Sequence, residues 1–135
     1  MVDVQDSVKL AQNPHPRATP ASAAVLRWRD DAAFDGPVVA FADFGGDSNA
    51  AAVRVDPADD ARALVPHLAR LRLIEVSFPK YRDGRGYSAA RILREAGYTG
   101  ELRAAGDVLV DQINFMRRVG FDSFAPAKPL NPDDV

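Results

Sequence analysis

The sequence predicts an α/β fold: a single domain with a mainly parallel sheet of about four to five strands built from βαβ units. Three observations predict it. Strand-like apolar runs alternate with stretches of helical period from Val38 to Phe124. Chain breakers such as Asp56-Pro57, Gly97 and Gly120 stand at the changes of pattern. Polar residues inside the strand-like runs recur at every second position, so each strand carries one polar face.

Residues 1–36 read as an extended N-terminal arm, because Pro14, Pro16 and Pro20 crowd one stretch and exclude a helix there. Within it, Val25 to Trp28 can add a short strand, and Asp35-Gly36-Pro37 is a turn. Residues 37–125 form the α/β domain, and 126–135 a polar C-terminal tail with Pro126, Pro129 and Pro132.

Inside the domain, Val38 to Phe41 is a short apolar run and Gly45 to Asn49 a loop. Ala51 to Val55 reads as a strand. Asp59 or Asp60 can cap a helix reaching about Leu71, with a kink or split expected at Pro66. Leu73 to Phe78 is the next strand. Ser88 can cap a helix ended by Gly97, Glu101 to Ala105 is a strand, and Asp107 can cap a helix ended by Gly120. Phe121 to Phe124 closes the series. The later helices have apolar faces: Ala89, Ile92, Leu93 and Ala96, then Val108, Leu109, Ile113, Met116 and Val119. Phe115 and Met116 read as core or core edge.

This order implies parallel strands joined by right-handed crossovers. Arg54, then Glu75 and Ser77, then Glu101 and Arg103 interrupt runs that would be wholly apolar in a sheet covered on both faces. Sequential strand order would place the helices on one side, as in a half-barrel. A small doubly wound sheet is the alternative, and it must pair those charges, for instance Glu75 with Arg103 across neighbouring strands.

Composition narrows the chemistry. The 135 residues are 47% hydrophobic and 27% charged, a globular balance, and the net charge of −2 gives no excess of the kind that favours nucleic acid. The chain has no cysteine, which excludes disulfides, thiolate metal sites and thiol redox chemistry. His15 and His67 are far apart, and no metal site is expected. No apolar run approaches the roughly 20 residues that span a bilayer, and Met1 to Leu10 lacks a signal peptide's apolar core. The expected location is the cytoplasm, with no membrane partner.

Parallel α/β folds bind ligands at the C-terminal ends of their strands. There the sequence sets its densest polar segment, Lys80, Tyr81, Arg82, Asp83, Arg85, Tyr87 and Ser88, with Gly84 and Gly86 between. Three cations leading into a helix N-terminus suit an anion or an acidic partner. Plain architecture is the alternative: Asp83-Gly84 as a turn, and Arg82 and Arg85 paired with Asp83 or Glu101. The segment matches neither a P-loop nor a dinucleotide fingerprint, so no cofactor is expected. Arg103 can add a cation, and Asp83 and Asp107 are the acid–base candidates. Asp107 and Asp111 lie four apart, the spacing of a carboxylate pair on one helix face, though a solvated face explains them as well.

The strings Phe78-Pro79-Lys80-Tyr81-Arg82-Asp83-Gly84-Arg85-Gly86-Tyr87-Ser88 and Gly100-Glu101-Leu102-Arg103-Ala104-Ala105-Gly106-Asp107-Val108, within a block from Leu73 to Phe124, carry a family resemblance. The block resembles the bacterial domain-of-unknown-function 934 family, often encoded beside assimilatory sulfite reductase and labelled a probable oxidoreductase of sulfite reduction. The resemblance implies a place in sulfur assimilation. Three functions are then expected: an accessory or docking protein for the reductase or its electron donor, a small enzyme binding an oxyanion or sulfonucleotide, or a homo-oligomeric structural subunit.

Overall fold

The computed structural model describes residues 25–45, 49–80 and 84–127. Six strands are assigned among them: β1 (Leu26–Arg27), β2 (Val39–Ala40), β3 (Ala52–Val55), β4 (Leu73–Phe78), β5 (Glu101–Gly106) and β6 (Ser123–Pro126). A 3-10 turn spans Phe41–Asp43, a longer 3-10 helix Ala61–Arg70, and two α-helices follow, α1 (Gly84–Glu95) and α2 (Val110–Val119). The strands form one sheet in the order β1-β6-β5-β4-β3-β2. All neighbours are parallel except β1, which runs antiparallel to β6. The α/β class with a mostly parallel sheet is as the sequence predicts. The count is six because the short strand that Val25 to Trp28 can add forms as β1, and the apolar run from Val38 to Phe41 contributes the two-residue β2. β1 also draws the end of the predicted arm into the sheet.

Local chemistry explains the crossovers. After β3, Asp59 Oδ2 accepts the Asp56 N–H at 2.8 Å and closes the Asp56-Pro57 turn. Asp60 caps the next segment by accepting the Arg62 N–H at 3.0 Å. The disruption expected at Pro66 takes the form of a ten-residue 3-10 helix, long for its kind. Proline has no N–H to give and crowds the carbonyl four residues back, so the α-helical repeat is disfavoured there.

Both α-helices start elsewhere than predicted. α1 begins at Gly84, and Ser88 lies one turn inside it. Gly86 lies inside this helix and serves packing, since a Cβ there would come within 2.4 Å of the buried Phe78 ring, whereas a Cβ at Gly84 would meet nothing within 4 Å. α2 begins later, at Val110, with Leu109 as an N-cap that makes no side-chain bond. Asp107 is held outside it, its N–H donating to the Phe78 carbonyl at 2.7 Å, while the Val108 N–H turns back to Gly106 O at 2.8 Å. At the other end, the Gly120 and Phe121 N–H groups still close onto Met116 O, so β6 starts only at Ser123.

The sheet's two faces differ. Val53, Val55, Ile74, Val76, Phe78, Leu102, Ala104 and Phe124 alternate along their strands and join one core with Leu64 and Leu68 of the 3-10 helix, Ala90 and Leu93 of α1, and Ile113 and Met116 of α2. The intervening positions carry the polar residues. Glu75 and Arg103 are register partners on β4 and β5, with Nη1 and Oε2 3.9 Å apart. Arg103 also pairs with Glu101 Oε2 at 2.9 Å and donates to Ser123 Oγ at 3.2 Å. Arg27 of β1 reaches across β6, where its register partner is the small Ser123, to Glu101 Oε1 at 2.9 Å. Glu75, Glu101 and Arg103 are only 2–4% exposed, so this pairing offsets a desolvation cost of several kcal/mol per ion.

Residues 28–38 connect β1 at one edge with β2 at the other. They cross the N-terminal ends of the strands: Arg29 bonds Asp122 Oδ2 (2.7 Å) and the Thr99 carbonyl (3.3 Å), and Phe34 lies under the Arg72 guanidinium. Among the described residues, no helix is long and apolar enough to cross a membrane.

Candidate functional site: a basic and aromatic rim at the strand ends

The C-terminal ends of β4, β5 and β6 are tied together. The Asp107 N–H bonds Phe78 O, and the Ala127 N–H bonds Gly106 O at 2.8 Å. A row of edge-to-face rings runs from the core to this end of the sheet: Phe121 to Phe78 at 5.7 Å, Phe78 to Tyr87 at 5.3 Å, and Tyr87 to Phe115 at 5.2 Å. Phe121 and Phe78 are buried, Tyr87 is half-buried, and Phe115 is 43% exposed. Burial raises the pKa of the Tyr87 hydroxyl, which keeps it a neutral donor.

Lys80, Arg85 and Ser88, in the segment that carries Tyr87, are exposed. Lys80 follows β4, and the other two lie in the first turns of α1. Tyr81, Arg82 and Asp83 fall outside the described residues. Arg103 does not join the rim. It sits in mid-strand on the polar sheet face, held by Glu101, Glu75 and Ser123. Asp107 is half-buried at the end of β5 and Asp111 is exposed on α2. Because Asp107 lies before the helix, the pair does not share a helix face as the four-residue spacing implies. Among the described residues, no group of three or more His, Asp or Glu is placed to hold a metal.

Sequence reasoning missed two features. Phe115, read as core or its edge, is an exposed ring contact of Tyr87; its position off the stripe of Ile113 and Met116 was the available signal. Arg94 belongs to no motif in the sequence. It donates from Nε to Gly120 O and from Nη1 to the Tyr98 and Gly100 carbonyls, each at 2.9 Å, and from Nη2 to Asp122 at 3.1 Å. These contacts fasten the end of α1 to the strand ends opposite the rim.

Fold and rim together define a parallel α/β protein with a basic, aromatic edge where such folds place their working surface. Residues 52–135 match a family of bacterial proteins of unknown function (DUF934), and the chain belongs to that family. No curated protein and no solved structure matches it.

Proposed function

We propose that this chain is an accessory docking protein of assimilatory sulfite reduction, offering the rim from Lys80 to Ser88, with Phe115 beside it, to an acidic patch on the reductase or its electron donor. One observation carries the docking reading: the exposed Phe115 ring packs on Tyr87, which follows the exposed cations Lys80 and Arg85 in the same segment. A rigid aromatic anchor among charges is the composition of a protein-binding surface, the ring supplying contact area and the cations steering the encounter. The link to sulfite reduction rests on the resemblance in the sequence. The proposal includes a half-barrel layout, in which sequential parallel strands present their C-terminal ends along one open rim.

The test is recovery of partners from the host's lysate at low salt and at about 0.5 M salt, where exposed charges are screened within a few ångströms. Salt-sensitive recovery of the sulfite reductase, reduced at least about tenfold by Arg82→Glu with Arg85→Glu, is the expected result. Recovery unaffected by salt and by the double variant contradicts it.

A second reading is favoured by the start of α1, where Arg85 lies beside Gly84 and Gly86 at a helix N-terminus. There a sulfur oxyanion or sulfonucleotide would be held by Lys80, Arg82 and Arg85, with Asp83 or Asp107 as acid–base group. Thermal-shift titration with sulfite, sulfate and a sulfonucleotide separates the two. The homo-oligomeric reading has less behind it, because Arg27, Glu75, Glu101 and Arg103 of the polar sheet face already pair within one chain.

A further inference from the structure

The core face of the sheet is covered crossover by crossover until its last strand. The Ala61–Arg70 segment, α1 and α2 each link one parallel strand to the next and bury their apolar side on that face. Beyond β6 no crossover helix follows among the described residues, and the neighbouring strand is the two-residue β1. There Phe124 of β6 meets the Trp28 indole edge-on at 5.5 Å. Trp28 remains 39% exposed.

Between Trp28 and the last turns of α2 lies an open cleft of about 480 Å³, lined chiefly by Trp28, Asn114, Arg117, Arg118, Phe121 and Asp122. The Arg117 guanidinium stands 4.5 Å over the indole ring. The Asp122 carboxylate is already engaged by Arg29 at 2.7 Å, Arg94 at 3.1 Å and the Leu102 N–H at 2.9 Å. Among the described residues, no carboxylate pairs with Arg117 or Arg118, and both are exposed. The cleft therefore combines an indole wall with two cations not offset by a carboxylate.

We propose that this cleft docks an acidic segment of a partner protein, which lays one large apolar side chain against Trp28 and sets carboxylates against Arg117 and Arg118. Tryptophan and arginine are the residues most enriched among binding hot spots. The stacked guanidinium is already oriented, so little freedom is lost when a carboxylate meets its fork. The cleft flanks the N-terminal end of β6, whereas Lys80 follows the C-terminal end of β4. The two surfaces are separate, and each is tested without the other.

Trp28 is the only tryptophan in the chain, so intrinsic fluorescence reads this cleft directly. The full chain is titrated at low salt with a synthetic peptide of glutamates around one leucine, and with a counterpart carrying lysines in place of the glutamates. The expected result is a saturable blue shift with the acidic peptide alone. Arg117→Glu with Arg118→Glu weakens that binding at least about tenfold. Far-UV circular dichroism checks the double variant's fold, and Arg118→Gln alone carries the test if that fold is lost. An unchanged emission, or an equal shift with the lysine peptide, overturns the proposal. So does a shift on deleting residues 128–135, which makes the chain's own C-terminus the occupant, or an emission that depends on protein concentration, which makes it a second copy.

Discussion

Gly106 ends β5 with φ +108°, and a Cβ built on it would lie 2.5 Å from the carbonyl oxygen of Phe78. That oxygen belongs to the backbone of β4, a strand bonded on both sides, and it also accepts the Asp107 N–H. It has no room to retreat. Gly97, after α1, has a similar φ of +102° but nothing within 4 Å of a built Cβ. The pair separates backbone strain from steric conflict. Alanine at Gly97 should cost about 1–2 kcal/mol, the strain of a left-handed conformation alone. Alanine at Gly106 should cost roughly 3 kcal/mol or more, because overpacking adds to the same strain. Urea denaturation of both variants measures the difference. Equal losses would mean that the close approach to Phe78 O carries no energy.

At the scale of elements, α1 is anchored through one side chain. The Arg94 fork serves three carbonyls and one carboxylate, all belonging to segments other than α1. An ammonium is a compact charge and cannot span these acceptors. Arg94→Lys should therefore destabilise the fold by about 2 kcal/mol, while the exposed Arg91→Lys should change it by less than about 0.5 kcal/mol. Thermal unfolding of the two variants tests this, and matching midpoints would remove Arg94 from its anchoring role. The sequence held no sign of that role, since the acceptors are backbone oxygens brought near by the fold. It did make other elements legible. The bounds of β4 are legible because Arg72 and Pro79 delimit a run that alternates apolar and polar residues from Ile74 on. The pairing of Glu75 with Arg103 was legible from period-two alternation. The starts of α1 and α2 were not, because glycine and aspartate signals that usually mark loops and caps here serve contact with Phe78. At the candidate site the cations and Tyr87 were legible as a dense polar segment, but the exposed Phe115 comes from another helix and joins them only in three dimensions.

Across the whole molecule, the ion pairs bind the antiparallel edge to the parallel body, and this gives stability a definite dependence on acid. Burial alone would raise the Glu101 carboxyl pKa, but the Arg27 hydrogen bond and the Arg103 charge outweigh it and hold the group below its ordinary 4.5. Asp31, in the strap after β1, is lowered to about 2, chiefly by hydrogen bonds from Arg29, with burial opposing them and Arg27 adding to the lowering. Both folded-state values lie below the unfolded ones. Their contribution is therefore fully present above the ordinary carboxylate values of 4.5 and 3.8, and is lost as pH falls through the depressed values, reaching about 2 for Asp31. The β1 edge should loosen first, because Arg27 holds both carboxylates. Trp28, whose N–H bonds Asp122 O beside that edge, should report it as a red shift in emission before global unfolding. Glu101→Gln should cost about 3 kcal/mol near neutral pH, since it leaves Arg103 buried with a weakened partner. The same variant should flatten the decline in stability below about pH 4.5, because the group that titrates is gone. Urea midpoints for both proteins at about pH 7, 4 and 2.5 decide the matter. Parallel declines would place the acid sensitivity elsewhere, and convergence of the two curves in acid assigns it to the carboxylate joining β1 to β5.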